Sequence, residues 1–166
     1  MPRMLVVYFS RSGHTRAVAK QIAERLGADL EEIQDPTNRS GIFGYQRSGF
    51  QAFFKRVPPI AAAIRNPHDY DLVVVGTPIW DMSLSAPVRA YLRRYRAVLP
   101  KVAFFCTCGG AGADRAFAQM TKECGQSAIA TMVLTERELT TPAVPMAIAR
   151  LMAHIRGALP NGRRAA

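Results

Sequence analysis

The chain has 166 residues, of which 49% are hydrophobic and 20% charged, and its formal net charge is +10. This length suits one folded domain over residues 1–166 and leaves little room for a second, and no stretch has the roughly 18 consecutive apolar residues of a membrane-spanning helix. Three cysteines are too few for a disulfide framework. The basic residues are not interleaved with stacking aromatics, so nucleic-acid binding is not expected.

Five segments of the chain are predicted to be β-strands. Three of them are short, rich in Val, Phe or Tyr and do not alternate with polar residues, which is typical of parallel strands buried on both faces. A weaker strand follows the first helix, and a further one lies near the end of the chain. In chain order the predicted strands are Met4 to Phe9, Leu30 to Ile33, Asp71 to Gly76, Lys101 to Cys106 and Ile129 to Leu134.

Four helical patterns alternate with these strands. The first ends at Gly27, the second runs from Pro87 to Tyr95, the third from Arg115 to Lys122 and the fourth from about Pro145 to His154. Parallel strands need helical crossovers, and those crossovers are right-handed. The alternation therefore predicts an α/β fold with a doubly wound, five-stranded parallel sheet and helices on both faces.

Two segments lie outside this alternation. Residues 35–69 form an irregular, aromatic-rich insertion in which a helix from Tyr45 to Val57 is predicted; its aromatics either pack on the sheet or form a flap over a ligand. Residues 158–166 form a short basic tail. The apolar segment at the N-terminus stops at Phe9, so no secretory signal is predicted and a cytoplasmic location is expected.

The first predicted strand runs directly into a segment suited to binding a phosphate. Ser10-Arg11-Ser12-Gly13-His14-Thr15 offers three hydroxyls, a glycine and the N-terminus of a helix. Unpaired amides at a helix start and its positive dipole end favour an anion, and glycine lets the backbone approach it. The segment lacks the lysine of a Walker loop. Alternatively, Ser12 is an ordinary helix N-cap, and the Arg11 and His14 side chains face solvent.

The third and fourth predicted strands also end in segments that suit a ligand. The second segment, Gly76 to Leu92, carries Trp80, the only tryptophan, which either stacks on a flat ring or anchors the sheet rim. The third segment is Thr107-Cys108-Gly109-Gly110, at the end of the fourth strand, and its small residues allow close backbone approach. Cys106 and Cys108 do not indicate a metal site, because such a site needs about four ligands and no second pair is near.

The three segments together resemble the flavodoxin-like FMN-binding proteins from Met4 to about His154. The first segment matches their phosphate loop, [ST]-x-[ST]-G-x-T, and Gly76 to Trp80 matches their Gly-[ST]-Pro-x-[YW] segment. The resemblance implies FMN as cofactor and the strand order 2-1-3-4-5. The implied cofactor-binding residues are, for the phosphate, Ser10, Arg11, Ser12, Gly13, His14 and Thr15 and, for the ring, Thr77, Pro78, Ile79, Trp80, Asp81, Thr107, Cys108, Gly109 and Gly110.

The function that the resemblance implies is a cytoplasmic FMN-dependent oxidoreductase. It would move electrons from NAD(P)H or a reductase to a quinone or similar small acceptor, and two copies could form a homodimer. Electron-transfer flavodoxins are generally acidic, whereas this basic chain favours two-electron chemistry. Two alternatives are an electron carrier that docks to redox proteins through the basic helix Leu84 to Tyr95, and a protoporphyrinogen-oxidase-like flavodoxin. No acid–base pair stands out, so no catalytic residue is identified.

Overall fold

Six strands and four α-helices are formed by the part of the chain that the computed structural model describes, which is residues 1–36 and 59–159. The strands are β1 Met4–Tyr8, β2 Asp29–Glu32, β3 Leu72–Trp80, β4 Ser83–Leu84, β5 Lys101–Cys108 and β6 Thr131–Thr135. The helices are α1 His14–Leu26, α2 Ala86–Tyr95, α3 Ala113–Cys124 and α4 Ala143–Ala158, and a short 3₁₀ helix spans Pro67–Asp69.

The strand order confirms the predicted fold. The sheet runs β2-β1-β3-β5-β6, and each of these neighbouring pairs is parallel. Counted among the parallel strands alone, this is the order 2-1-3-4-5. The order reverses at β1, which lies between β2 and β3, and ligands of doubly wound sheets bind at such a switch point, beyond the carboxyl ends of the strands.

The core lies in two layers because successive side chains of a strand point to opposite faces. Leu5 and Val7 of β1 pack into one layer, which α2 and α3 cover, whereas Val6 and Tyr8 pack into the other, which α1 and α4 cover. All four side chains are at most 3% exposed. A sheet covered on both faces explains why the central strands are apolar without alternation.

Two strands continue beyond their predicted ends, and a short extra strand was not predicted. β3 does not end at Gly76, because β5 pairs with it as far as Pro78 opposite Thr107, after which Ile79 and Trp80 pair with the antiparallel β4. β5 continues to Cys108. Residues 77–80 and 107–108 of the candidate site therefore lie in strands rather than in loops.

The last strand and the last helix also differ from the prediction, the strand in its burial and the helix in its length. β6 is an edge strand with alternating burial, since Met132 and Leu134 are buried and Val133 is 39% exposed. Helix α4 is longer than predicted at both ends. The predicted helix Tyr45 to Val57 and the tail beyond Leu159 lie outside the described residues. Within the described ranges, no helix is long and apolar enough to cross a membrane.

Candidate functional site

The structure brings the three predicted segments together at one edge of the sheet. The Phe9 amide, which follows β1, donates to the Gly76 carbonyl oxygen at 3.2 Å. The hydroxyls of Thr15 and Thr107 are hydrogen-bonded at 2.8 Å although 92 positions separate them. The Arg11 guanidinium lies 5.7 Å from the centre of the Trp80 ring. These contacts join the first segment to both of the others.

The first segment is a tight turn into α1. The Gly13 amide donates to Ser10 Oγ at 3.1 Å, and Gly13 occupies the N-cap position of α1 with φ +96° and no side chain capping the helix. Because Gly13 is the N-cap, the exposed Ser12 is not the N-cap that the alternative interpretation required. The amides of the first helical turn have no acceptor within the helix, so they are available to a ligand.

The open space at this helix start fits a phosphate. A Cβ added at Gly13 would meet no heavy atom of the described residues within 4 Å, so the space directly over this glycine is open among them. The donors are amides and hydroxyls at the positive end of the α1 dipole, and this set binds a phosphate dianion without a cationic side chain. The side chains of Arg11 and His14 are exposed, as expected.

Thr15 holds the first segment against the third. Its side chain is 1% exposed, and that of Thr107 is 5% exposed. A hydrogen bond between two hydroxyls uses one of their two protons, so the pair keeps one proton for a further acceptor. The bond therefore positions the start of α1 relative to β5 and leaves a donor near the switch point.

The second segment reaches the sheet edge as a β-hairpin. Thr77 is fully buried; its hydroxyl donates to the Pro78 carbonyl oxygen at 2.8 Å and accepts from the Ser85 amide at 3.1 Å. The turn residues Asp81 and Met82 are exposed and have φ of +48° and +60°. Positive φ at both central positions is the geometry of a type I′ turn, which is strained for residues other than Gly, Asn or Asp.

Trp80 lies at the rim of the sheet, where it contacts Phe9, which follows β1, and Arg11 of the first segment. The Phe9 ring meets it edge to face, with centroids 5.8 Å apart and an interplanar angle of 85°, and the Arg11 guanidinium lies over its ring. The indole and Ile79 are half-buried and pack against one core layer. Trp80 is thus anchored to the sheet and still partly open to a ligand.

The third segment offers open backbone. Thr107 and Cys108 are buried within β5, whereas Gly109 and Gly110 are exposed. A Cβ at either glycine would meet no heavy atom within 4 Å, and Gly110 has φ +145°. A flat ligand can therefore approach the peptide groups of this turn closely.

The three cysteines are free and buried. Burial raises the pKa of the Cys106 thiol and of the Cys124 thiol, so both are neutral near pH 7 and poorly nucleophilic. Cys108, which belongs to the third segment, is 4% exposed. Across residues 1–36 and 59–159, no group of three or more His, Cys, Asp or Glu side chains is placed to hold a metal ion.

Two residues of the site were missed from the sequence. Phe9 ends an apolar run, so its contact with Trp80 cannot be told from ordinary core packing. Met82 forms the hairpin turn with Asp81, but Asp-Met lacks the glycine that usually marks a two-residue turn. Neither position carries a local signal that would have identified it.

Comparisons with known proteins identify the family and the fold. The flavodoxin family model matches residues 3–148, whereas no curated protein sequence matches significantly. Among solved structures, a flavoprotein in complex with FMN from Lactobacillus acidophilus NCFM is 20% identical, with a TM-score of 0.68 over 84% of this chain and 97% of that one.

Two other solved structures share the fold. A protein described as a flavoprotein from Bacteroides eggerthii DSM 20697 is 21% identical, with a TM-score of 0.73 over 92% of this chain and 99% of that one. An apo-form NADH:FMN oxidoreductase is 14% identical, with a TM-score of 0.57 over 96% of this chain and 91% of that one. At these identities the likeness concerns the fold.

Proposed function

The chain belongs to the flavodoxin family, and on this premise we propose that it is an FMN-dependent oxidoreductase that passes electrons from NAD(P)H to a quinone or similar small acceptor. The observation that carries the proposal is the convergence of three segments at the switch point. There, an uncapped helix N-terminus, a partly open indole and two exposed glycines belong to segments that meet at one edge of the sheet.

The cofactor is FMN, and the residues of the site divide between its two ends. For the phosphate we assign the hydroxyls of Ser10, Ser12 and Thr15 and the amides of the turn from Arg11 to His14. For the ring we assign Trp80, with the backbone of residues 77–81 and 107–110. When bound, FMN supplies reversible transfer of one or two electrons; the chain binds it, orients it and limits the access of water.

Charge at the site supports two-electron chemistry. The Arg11 guanidinium lies beside the Trp80 ring, and the chain as a whole carries a formal net charge of +10. A cation close to a redox centre stabilises the more negative, reduced form, and close charges act more strongly than distant ones because salt screens beyond about 10 Å. This favours an enzyme that delivers electron pairs over a low-potential carrier.

The alternative function, an electron carrier that docks through its basic helix, is less well supported. Arg89 and Arg93 of α2 are both paired with the buried carboxylate of Glu123, and Arg94 donates to the Ile60 carbonyl oxygen at 3.2 Å. Cations already held by internal partners contribute less to an incoming acidic surface. The basic helix therefore has a structural role of its own.

A turnover assay distinguishes the two functions. FMN-loaded protein is mixed without oxygen with NADH or NADPH and a soluble benzoquinone, and nucleotide oxidation is followed by absorbance. An enzyme gives catalytic turnover with one nucleotide oxidised per quinone reduced, well above an equal concentration of free FMN. Reduction by neither nucleotide, together with rapid and salt-sensitive reduction by a reductase protein, would instead establish the carrier.

Location and assembly complete the proposal. The three unpaired cysteines support a reducing compartment such as the cytoplasm. We expect a homodimer, and light scattering coupled to size-exclusion chromatography measures the mass directly. A monomer mass near 18.2 kDa at micromolar concentration would refute the dimer.

A further inference from the structure

A cavity of about 430 Å³ lies beside the turn that we assign to the phosphate. We call it the β2-side cavity. Its wall includes Ser10, Arg11, Arg16, Glu32, Ile33 and Ala61. Its volume falls within the range of about 300–1,000 Å³ that is usual for small-molecule pockets.

The β2-side cavity is separate from the predicted ring site. β1 lies between β2 and β3 in the sheet, so residues after β2 stand on one side of the phosphate turn, and the segments after β3 and β5 stand on the other. The cavity nevertheless shares Ser10 and Arg11 with that turn. A group in the cavity can therefore be bonded to a phosphate on the turn while the flavin ring lies on the opposite side.

A guanidinium–carboxylate pair, Arg16 with Glu32, forms part of the polar wall of the cavity, which Gln34 and Asp35 also line. Arg16 donates to both oxygens of Glu32, from Nε at 3.2 Å and from Nη2 at 2.7 Å. The Tyr8 hydroxyl donates to the same carboxylate at 3.2 Å, and burial, followed by the Glu32 charge, raises the pKa of Tyr8 so that it stays a neutral donor. The pair is thereby held in one orientation at the cavity wall.

This wall suits a nucleotide rather than a simple anion. The N–H groups of Arg16 that Glu32 does not use can meet a phosphate. The carboxylate of Glu32 stands at the end of the second strand, where an acidic residue of a doubly wound sheet accepts from ribose hydroxyls. The exposed residues Pro36 and Ala61 add apolar surface against which a base can pack.

We propose that the β2-side cavity binds the adenylate half of FAD, so that the chain accepts FAD as well as FMN. The proposal rests on the proposed function, because it assumes that the flavin phosphate lies on the turn from Ser10 to Thr15. In FAD the adenylate phosphate is bonded directly to the FMN phosphate, and the cavity adjoins that position. A free adenine nucleotide has the same chemistry without this connection, and the test separates the two.

Calorimetric titration of the cofactor-free protein with riboflavin, FMN, FAD and AMP tests the proposal. FAD is expected to bind at least as tightly as FMN. Ala61 is an exposed residue of the cavity wall, whereas its neighbour Ala62 is exposed and does not line the cavity. We expect Ala61→Phe to weaken FAD binding by about tenfold or more and FMN binding by less than about threefold, with no effect of Ala62→Phe on either.

A second pair of variants tests the polar wall. Arg16→Gln removes a cation at the cavity, and Arg25→Gln removes one from the far end of α1, where Arg25 donates to the Pro145 carbonyl oxygen. Only Arg16→Gln is expected to lower the ratio of FAD to FMN affinity, by about tenfold. Retained FMN binding in each variant shows that the protein is folded.

The outcomes separate this proposal from the one on which it rests. If FMN binds and FAD binds at least tenfold more weakly, or if Ala61→Phe leaves FAD affinity unchanged, the adenylate assignment is wrong. If AMP binds to FMN-loaded protein while FAD is rejected, the cavity is an independent nucleotide site and the proposal is likewise overturned. If no flavin binds at all, the proposed function itself fails.

Discussion

Replacing Gly13 by alanine tests the phosphate turn in a way that separates binding from folding. Gly13 has φ +96°, a conformation strained for alanine, although an added Cβ would meet no atom within 4 Å. The strain is expected to cost about 1–2 kcal/mol of the free energy of unfolding. The added Cβ also points into the open space that a phosphate needs, so FMN affinity should fall by about tenfold or more, which is about 1.4 kcal/mol.

Gly27 provides the matched control at the other end of the same helix. It is the C-cap of α1, has φ +62° and also has no atom within 4 Å of an added Cβ. Gly27→Ala should cost about 1 kcal/mol of stability without changing FMN affinity. Urea unfolding of the cofactor-free protein measures the first quantity, and calorimetric titration with FMN and riboflavin measures the second.

The result for riboflavin, which lacks the phosphate, decides the interpretation. Gly13→Ala should leave its weak binding nearly unchanged, because only the phosphate depends on the turn. If Gly13→Ala bound FMN as wild type does, or if Gly27→Ala lost as much FMN affinity, the turn from Ser10 to Thr15 would not hold the phosphate.

Three further predictions concern the ion cluster, an unpaired hydroxyl and the indole. Burial alone would raise the pKa of Glu123, but hydrogen bonds from Arg93 and Arg89 outweigh it and hold the pKa below its usual value. The ionised carboxylate therefore stabilises the fold fully above about pH 4.3, the pKa of an unfolded glutamate. This stabilisation is lost as the pH falls through the lower pKa of the folded state. Glu123→Gln should cost about 2 kcal/mol in urea unfolding at pH 7 and less at pH 3, and an equal cost at both would contradict this. The Tyr91 hydroxyl is buried and has no hydrogen-bond partner among the described residues. Tyr91→Phe should therefore leave the free energy of unfolding unchanged or raise it by up to about 1 kcal/mol. A decrease of more than about 1 kcal/mol would show that the hydroxyl has a partner. Trp80→Leu should weaken FMN and riboflavin alike, by about tenfold, while Trp80→Phe keeps most of the affinity, and a loss confined to FMN would show that the indole does not meet the ring.

The fold could be predicted because its signals are local and repeated. Val-rich runs such as Leu72 to Val75 are buried on both faces, and the helices between the strands end at glycine or before proline, as at Gly27 and Pro100. Right-handed crossovers then leave few possible topologies. The turn that we assign to the phosphate could be proposed from the sequence for the same reason, since all its candidate donors lie within six consecutive residues.

The parts that were not predicted depend on pairing between distant residues or on atypical local sequence. Pro78 normally argues against continuing a strand, yet β3 continues through it, and the hairpin that follows turns on Asp81 and Met82 without a glycine. The pairing of Thr15 with Thr107 joins residues 92 positions apart. Such contacts follow from the assembled sheet, and no short segment of the sequence encodes them.

The comparison of FMN with riboflavin in the unmodified, cofactor-free protein tests the central claim most directly. The two ligands share the same ring and differ in the phosphate alone, so their affinity ratio measures what the uncapped start of α1 contributes. The account predicts that FMN binds about a hundredfold more tightly than riboflavin. Equal affinities, or no binding of either flavin, would contradict it.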